Sequence, residues 1–137
     1  MATRANKQTA IDFIQAINSG DKDCLLQLMH DAATWTVPQS AVAPYAGTHQ
    51  GASVIADMMV GAVEQAFDAD GVHHDVGLCV AEGQHVVIET RMTARQPTGK
   101  SYENAYVFIF CISDGRIVSI REHVDTAYAI QFFAMPE

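Results

Sequence analysis

The sequence predicts an α+β fold in which the helices come first and an antiparallel sheet follows. Apolar residues recur at helical spacing as far as about residue 67, and from Val72 onward they alternate with polar residues. Short turns separate the last four segments, at Glu82-Gly83, at 97–99 and at Asp114-Gly115. Turns of that length join antiparallel strands. Helices gathered before a run of hairpins indicate α+β rather than alternating βαβ units.

Three helices are predicted in the first half of the chain. In the first, the apolar face ends at Ile17 and Asn18-Ser19-Gly20 terminates the helix. Asp21 is placed to cap a short second helix with the apolar residues Leu25, Leu28 and Met29. The third helix is predicted at about 52–67, where apolar residues form one stripe.

The strands are predicted from their alternation and from the turns between them. Residues 33–37 (ATWTV) predict a first strand that Pro38 stops, and 39–50 is predicted to be a loop of the kind that can cover a pocket mouth. Four further strands are predicted at 72–81, 85–96, 101–113 and 116–126. The apolar tail at 127–134 is predicted to pack back as a short helix.

Length and charge restrict the class of protein. A chain of 137 residues suits one domain, spanning 1–137. Its formal charge of −8 and the lack of a basic run argue against nucleic acid or anionic lipid as a partner. No apolar run approaches the ~20 residues of a membrane helix, and the polar start does not predict a signal peptide. The three cysteines lie in apolar surroundings without paired spacing, so we expect buried, reduced thiols in a cytoplasmic protein.

The order of elements and the final segment GKSYENAYVFIFCISDGRIVSIREHVDT resemble the NTF2-like superfamily. The branch it is most similar to is that of the SnoaL-like and ketosteroid-isomerase-like small proteins. The resemblance covers essentially the whole chain, and its specific marks are 114–117 (DGRI), 121–126 and Trp35 before Pro38. It implies three helices packed on a strongly curved, mainly antiparallel sheet that forms a cone, with a hydrophobic pocket inside. It also implies a homodimer through the outer face of the sheet, and it leaves the reaction open.

Two branches of the superfamily allow a residue-by-residue comparison. The tyrosine and the carboxylate base of ketosteroid isomerases correspond to Phe13 and Val37, neither of which can move a proton. The three positions of the aspartate–arginine–aspartate relay of limonene-epoxide-hydrolase-like members fall on Glu89, Arg91 and Glu122. Along this chain the acidic Glu89 comes before the basic Arg91, which is the reverse of the order of charges in that branch. No tyrosine or asparagine stands at the first-strand positions that hold the water in that branch. The similarity to these hydrolases is therefore partial.

Strand parity suggests a polar cluster inside the cone. Glu122 shares a face with Val118 and Ile120, and Asn104 and Tyr106 share a face with the aromatics of the preceding strand. If the curved sheet turns these faces inward, the relay residues and this polar pair converge beneath an apolar wall formed by Phe13 and Trp35. A second interpretation places Glu89 and Arg91 in solvent, because their opposite face is the more apolar one.

The leading hypothesis is a cofactor-free acid–base enzyme that acts on a hydrophobic small molecule. Glu122 would be the base or water activator, Arg91 the charge-stabilising group and Glu89 the second carboxylate. Asn104 and Tyr106 would form hydrogen bonds with the substrate. No metal is expected, because His73 and His74 are adjacent on a strand and point to opposite faces. The alternative is a non-catalytic ligand-binding or dimerisation module of the same fold.

Overall fold

The computed structural model describes residues 2–67 and 72–134, and within them it contains four helices and six strands. The helices are α1 (Ala2–Ser19), α2 (Lys22–Leu28), α3 (Ala52–Ala66) and α4 (Thr126–Ala134). The strands are β1 (Met29–Val37), β2 (Gly47–Gln50), β3 (His73–Glu82), β4 (His85–Arg95), β5 (Ser101–Ser113) and β6 (Arg116–Val124). The predicted α+β class is confirmed. In the described part of the chain, no helix is long and apolar enough to cross a bilayer.

The six strands form one curved sheet in the order β2-β1-β6-β5-β4-β3. The four long C-terminal strands form an antiparallel meander, as predicted, and Asp114-Gly115 makes the last hairpin with φ values of 50° and 78°. Positive φ at both central residues is the geometry that suits the right-handed twist of paired strands. The first strand differs from the others because β1 pairs with β6 in parallel.

Two features of the N-terminal half differ from the sequence-based expectations. Strand β1 begins at Met29, four residues before the predicted start, so that Met29 belongs to a strand instead of the second helix. The segment predicted as a loop contains β2, which pairs antiparallel with β1. The four residues of β2 (GTHQ) show no alternation of apolar and polar side chains, so periodicity could not reveal this strand.

The core lies between the helices and the inner face of the sheet. Alternation along β4 and β5 is clear: Val86, Ile88, Phe108 and Phe110 are at most 2% exposed, and their immediate neighbours are more exposed. Helix α1 packs along β3, and α3 packs on β1. A second apolar group joins α4 to the far end of β4 and β5 through residues such as Tyr102 and Phe132.

A bulge in β6 changes which of its residues face the core. Cys111 pairs with Ser119 and the next residue, Ile112, pairs with Ile117, so Val118 is the extra residue of the bulge. As a result Ile117 and Ile120 are both buried, although they have opposite parity in the sequence. Beyond the bulge the inner face continues with alternating residues, and Glu122 belongs to it.

Candidate functional site

A cavity of about 160 Å³ lies between the inner face of the sheet and the helices α1, α3 and α4. Its walls are mostly apolar and come from every layer of the fold, including Ile17, Met59, Val72, Met92, Phe108 and Phe133. The polar groups that reach it are few: Glu122, His74, the hydroxyl-bearing Tyr45, Tyr102 and Tyr106, and the indole of Trp35. An apolar pocket with a few placed polar groups is typical of a small-molecule site.

Glu122 is the acidic residue of the cavity. It stands beside Phe108 of the neighbouring strand, and its Oε1 accepts a hydrogen bond of 3.2 Å from Trp35 Nε1. Among residues 2–67 and 72–134, no lysine, arginine or histidine forms an ion pair with it. Burial disfavours the ionised carboxylate and raises its pKa to about 7, although the Trp35 hydrogen bond lowers it part of the way. A carboxyl group with this pKa can both accept and return a proton near neutral pH.

Trp35 is held in place by two strands that the site depends on. Because β1 runs parallel to β6, Trp35 lies beside Ile120, and its indole reaches Glu122, which is two residues further along β6 on the same face. On the other side, His49 of β2 pairs with Trp35, and the two rings are 5.3 Å apart at an angle of 45°. The His49 ring in turn is 2.7 Å from the Tyr45 carbonyl oxygen. The short strand β2 therefore fixes the orientation of the indole that contacts Glu122.

Tyr102 and Tyr106 form a hydroxyl pair with a separation of 3.0 Å. The Asn104 amide donates to the Tyr102 oxygen at 2.9 Å and to the Asp125 carbonyl oxygen at 3.1 Å. Two hydroxyl protons share a single contact, and within the described residues no other acceptor is in reach of either of them. One hydroxyl proton is thus left for a ligand in the cavity. Burial raises the pKa of both tyrosines, so the pair stays protonated near neutral pH.

His74 is a cavity residue that the sequence suggested only as half of a possible metal pair with His73. It is 7% exposed, its Nδ1 is 2.9 Å from Thr90 Oγ1, and its ring meets the rings of Tyr106 and Phe108 edge to face. Burial lowers its pKa to about 4. One signal could have placed it inside, because His74 shares its strand face with Val72 and Val76, whereas His73 alternates with Asp75 on the other face.

The predicted relay does not form, because Glu89 and Arg91 lie on the outer face of β4. The inner positions of this strand are taken by Ile88, Thr90 and Met92. Arg91 Nη1 is 2.9 Å from Glu103 Oε1 in an ion pair whose side chains are 59% and 58% exposed. The prediction that Arg91 lies within reach of Glu122 is therefore wrong. The physical reason is burial: β4 turns its apolar face inward, and the polar face that the family alignment favoured remains in solvent.

The other predicted ligand-binding residues divide into two groups. Trp35 and Tyr106 line the cavity, and Glu122 lies in it as expected. Phe13 does not line the cavity, since it is fully buried in the core with its ring edge-on to Phe110 at 5.7 Å. Asn104 lies behind the wall, where it supports the Tyr102 hydroxyl. In the described ranges, no group of three or more His, Cys, Asp or Glu side chains is placed to hold a metal ion.

Comparison with known proteins identifies the class. Together, the curved sheet, the helices and the apolar cavity define a small-molecule-binding protein of the NTF2-like fold. The chain belongs to the SnoaL-like domain family, whose model matches residues 10–120. Among curated proteins, no relative matches this chain.

Three solved structures illustrate how well the fold agrees. An NTF2-like protein from Burkholderia xenovorans LB400 is 27% identical, with a TM-score of 0.79 over 96% of this chain and 97% of that one. The protein TerC, co-crystallised with polyporic acid, is 17% identical, with a TM-score of 0.84 over 96% and 99% of the two chains. A protein from Jannaschia sp. CCS1 that has been proposed to be a SnoaL-like polyketide cyclase is 16% identical, with a TM-score of 0.83 over 98% and 95%. At this level of identity, the last two show the fold alone.

Proposed function

We propose that this protein is a cofactor-free acid–base enzyme that acts on a hydrophobic small molecule with an enolisable carbonyl group. The observation that carries the proposal is the Glu122 carboxyl group, which stands in an apolar cavity with one hydrogen-bond donor, Trp35 Nε1, and a pKa of about 7. Raised carboxyl pKa values in cavities are characteristic of catalytic acids and bases. This proposal keeps Glu122 from the sequence-based hypothesis and replaces Arg91 and Glu89 with neutral donors.

The chemistry requires one base and one hydrogen-bond donor. Ionised Glu122 removes a proton from the carbon next to the substrate carbonyl, and the free hydroxyl proton of the Tyr102–Tyr106 pair hydrogen-bonds the oxygen on which negative charge develops. The protonated Glu122 then returns the proton to a different carbon, which completes an isomerisation. Alternatively, the enolate carbon attacks a second carbonyl of the same molecule and closes a ring, and the alkoxide formed as that C=O π bond breaks takes the proton back from Glu122. The Jannaschia protein, proposed to be a cyclase, supports the second outcome as an option for this fold.

The test uses 5-nitrobenzisoxazole, a small apolar molecule that reports a base directly. Removal of its ring C–H proton breaks the N–O bond and releases a coloured cyanophenolate, without a cofactor. We expect wild-type turnover that rises with pH through a midpoint of about 7, where Glu122 ionises. Glu122→Gln should lower kcat/KM by about 100-fold or more, the range typical of a lost general base.

The matched control is Glu89→Gln, which alters a carboxylate of the same type on the outer face of the sheet. This variant should keep kcat/KM within about twofold. If Glu122→Gln retains full activity, the proposed role of Glu122 is wrong. If Glu89→Gln loses activity instead, the relay deduced from the family alignment becomes the better explanation.

A second candidate function is ligand binding without chemistry. It is favoured by the mostly apolar lining of the cavity, in which Glu122 is the one acidic side chain among the described residues. Under this alternative the wild type and Glu122→Gln bind apolar ligands with similar affinity, and neither one turns over 5-nitrobenzisoxazole. Turnover by the wild type that is lost in Glu122→Gln supports the enzyme, and a wild type without turnover supports the binding module.

We also propose that two copies associate through the outer face of the sheet. An apolar row crosses this face, where Val80 pairs with Val87 and Val87 pairs with Ile109. Val80 is 45% exposed, and the nearby Leu78 is 57% exposed. An apolar row on a sheet surface that the helices do not cover favours contact with another apolar surface.

A further inference from the structure

His74 and Glu122 reach the cavity from two strands of the sheet that are not neighbours. His74 lies on β3, whereas Glu122 lies on β6, and the strands β4 and β5 separate them. The backbone of His74 is fastened by Asn18 of α1. The His74 amide donates to Asn18 Oδ1 at 2.6 Å, and Asn18 Nδ2 donates to the His74 carbonyl oxygen at 2.9 Å. The position of this residue is therefore determined from two sides, by β4 and by α1.

The Thr90 hydroxyl determines which ring nitrogen of His74 carries the proton. Thr90 is 2% exposed, and His74 Nδ1 is its side-chain partner, at 2.9 Å. If Nδ1 held the proton, Thr90 would accept it, and the Thr90 hydroxyl proton would then have no acceptor among the residues that the structure describes. A buried donor without a partner is unfavourable. The arrangement that satisfies both groups has Thr90 donating to Nδ1, which places the ring proton on Nε2.

The Nε2–H group is left for the cavity. In the described part of the chain, no side chain or backbone atom forms a hydrogen bond with His74 Nε2. In the described residues, Gln96 Oε1 is fully enclosed by protein and has no hydrogen-bond partner. His74 Nε2 also has no partner, but it is not fully enclosed. Since His74 lines the cavity, Nε2 is open to it. The edge-to-face contacts with Tyr106, at 5.3 Å, and Phe108, at 5.7 Å, hold the ring plane.

The donor is uncharged under ordinary conditions. Burial is the main reason that the pKa of His74 falls to about 4, and the neighbouring His73 lowers it further while Asp75 opposes this effect. A neutral imidazole donates one hydrogen bond and does not attract an anion as a guanidinium or ammonium group would. Glu122, which also lines the cavity, disfavours an anionic ligand once it ionises.

We infer that His74 is a ligand-binding residue that donates from Nε2–H to an acceptor oxygen of a neutral ligand, with Thr90 fixing the tautomer. The class of ligand is an apolar compound with a carbonyl or similar acceptor oxygen and no carboxylate. This inference refines the proposed function by naming what His74 recognises in the ligand. It rests on the ligand-binding part of that function and not on the acid–base chemistry.

The tautomer is tested directly by NMR of the protein labelled with ¹⁵N-histidine. The chain has six histidines, so His74 is identified by the signals that disappear in His74→Phe. We expect a pyridine-like shift at Nδ1 and a pyrrole-like shift at Nε2. In Thr90→Val, which keeps the side-chain volume and removes the hydroxyl donor, a mixture of both tautomers should appear. A proton on Nδ1 in the wild type would overturn the inference.

The ligand class is tested with 1-tetralone and tetralin, which share a two-ring skeleton and differ at one carbonyl group. The wild type should bind 1-tetralone more tightly, and His74→Phe should weaken tetralone binding about three- to tenfold, as expected for one hydrogen bond. Tetralin binding should stay within about twofold, because Phe keeps the apolar contact. Tyr106→Phe measures the share that the tyrosine pair contributes to tetralone binding.

The results distinguish this inference from the proposed function. Equal weakening of both ligands by His74→Phe, or a wild type that does not prefer the ketone, would show that His74 has no donor role even if Glu122 drives turnover. Conversely, loss of the ketone preference in His74→Phe stands even if Glu122→Gln proves fully active. If His74→Phe fails to fold, Thr90→Val leaves the ring in place, and its ketone preference should then be smaller than that of the wild type.

Discussion

At the scale of single residues, burial raises the pKa of the Glu122 carboxyl group, and the Trp35 indole is the side chain that opposes this effect. Its Nε1–H donates to Oε1 at 3.2 Å, and this contact favours the ionised form against the effect of burial. Within the described residues it is the one hydrogen bond that Glu122 receives. Removing this donor leaves burial unopposed, so the carboxyl group should lose its proton less easily.

We therefore expect Trp35→Phe to raise the pKa of Glu122 above that of the wild type. The aromatic wall is retained, and the N–H donor is lost. The midpoint of the pH–rate profile for elimination of 5-nitrobenzisoxazole should move to higher pH, and the rate at the high-pH plateau should change much less. An unchanged midpoint would mean that the indole contact does not form in solution.

Because the pKa values of Glu122 and His74 shift in opposite directions, folding near pH 5.5 moves a proton from the histidine to the carboxyl group. In the unfolded chain near pH 5.5, the histidine is protonated and the carboxylate is ionised, because their ordinary pKa values are 6.5 and 4.5. In the folded protein the pKa values are about 4 and about 7. The proton is then on Glu122, and His74 is neutral. The two contributions to the pH dependence of the free energy of unfolding have opposite signs and largely cancel between about pH 5 and 6.5.

Single substitutions should separate the two contributions to the pH dependence of the free energy of unfolding. The contribution of Glu122 is present below pH 4.5 and is lost as pH rises through about 7, so Glu122→Gln should exceed the wild type in stability by about 2–3 kcal/mol at pH 8. The contribution of His74 is present above pH 6.5 and is lost as pH falls through about 4. In His74→Phe only the Glu122 slope remains, so stability should fall as pH rises from 5 to 7. Urea unfolding at several pH values measures both, and parallel curves for wild type and variants would contradict the assignment.

The sequence could predict the position of a side chain where the apolar residues of its strand clearly marked the inner face. On β5, alternation between large apolar and polar side chains was sufficient to put Tyr106 on the inner face. On β4 the same alternation was present, but the family alignment favoured the polar face, and Glu89 and Arg91 were wrongly turned inward. The inward position of Glu122 follows from its sharing a face with Ile120, and not from Val118, because the bulge at Val118 changes the alternation of faces along β6. A one-residue insertion of this kind cannot be recognised from the spacing of apolar residues.

At the scale of elements, α4 depends on Lys100 for the end of its helix. This nine-residue helix has no basic residue in its last turn. Lys100 Nζ instead donates to the Phe132 carbonyl oxygen at 2.6 Å and lies 4.3 Å from the centre of the Phe132 ring. A cation at this place satisfies a terminal carbonyl group and opposes the negative end of the helix dipole. Because Ala129 and Phe133 of α4 line the cavity, the lysine also supports a cavity wall.

We expect Lys100→Met to lower the free energy of unfolding by about 1 kcal/mol. The aliphatic stem is retained, so the loss is confined to the charge and the hydrogen bond. Amide hydrogen exchange in 130–134 should become faster, whereas exchange in β5 should change little. Unchanged protection of α4 would show that packing of Phe132 alone holds this helix.

The helices α1, α3 and α4 and the four C-terminal strands were predictable because each carries a repeated pattern over nine or more residues. The starts and ends of β4, β5 and α4 lay within one residue of the prediction. The short strand β2 could not be found in this way, since four polar or small residues form it and its partner β1 lies ten or more positions earlier in the chain. The pairing of β1 with β6 connects distant segments and leaves no local mark in the sequence.

At the scale of the whole molecule, the proposed dimer predicts different effects for two similar substitutions. Val80 lies in the apolar row on the outer face of the sheet and is 45% exposed, whereas Val54 of α3 is equally apolar and 48% exposed. A buried charge without a partner is unfavourable in an interface. Val80→Glu should therefore shift the protein towards a monomer, and Val54→Glu should not.

Sedimentation or light scattering at micromolar concentration distinguishes the two variants. A wild type that is already monomeric contradicts the proposed dimer. A dimer that persists in Val80→Glu and is lost in Val54→Glu would place the interface on the helical side.

The fastening of His74 by Asn18 has a consequence for how the protein behaves in a crowded solution. Strand β3 is the last strand of the sheet, and an open strand can template the addition of strands from other molecules. Asn18 occupies both backbone groups of His74, and the irregular pairing between Val76 and Cys79 interrupts the ladder close to the exposed Leu78. At the other end of the sheet, β2 offers only four residues. A carboxamide from a helix and a bulge thus protect the protein from aggregation at the strand whose exposed apolar side chains would favour it most.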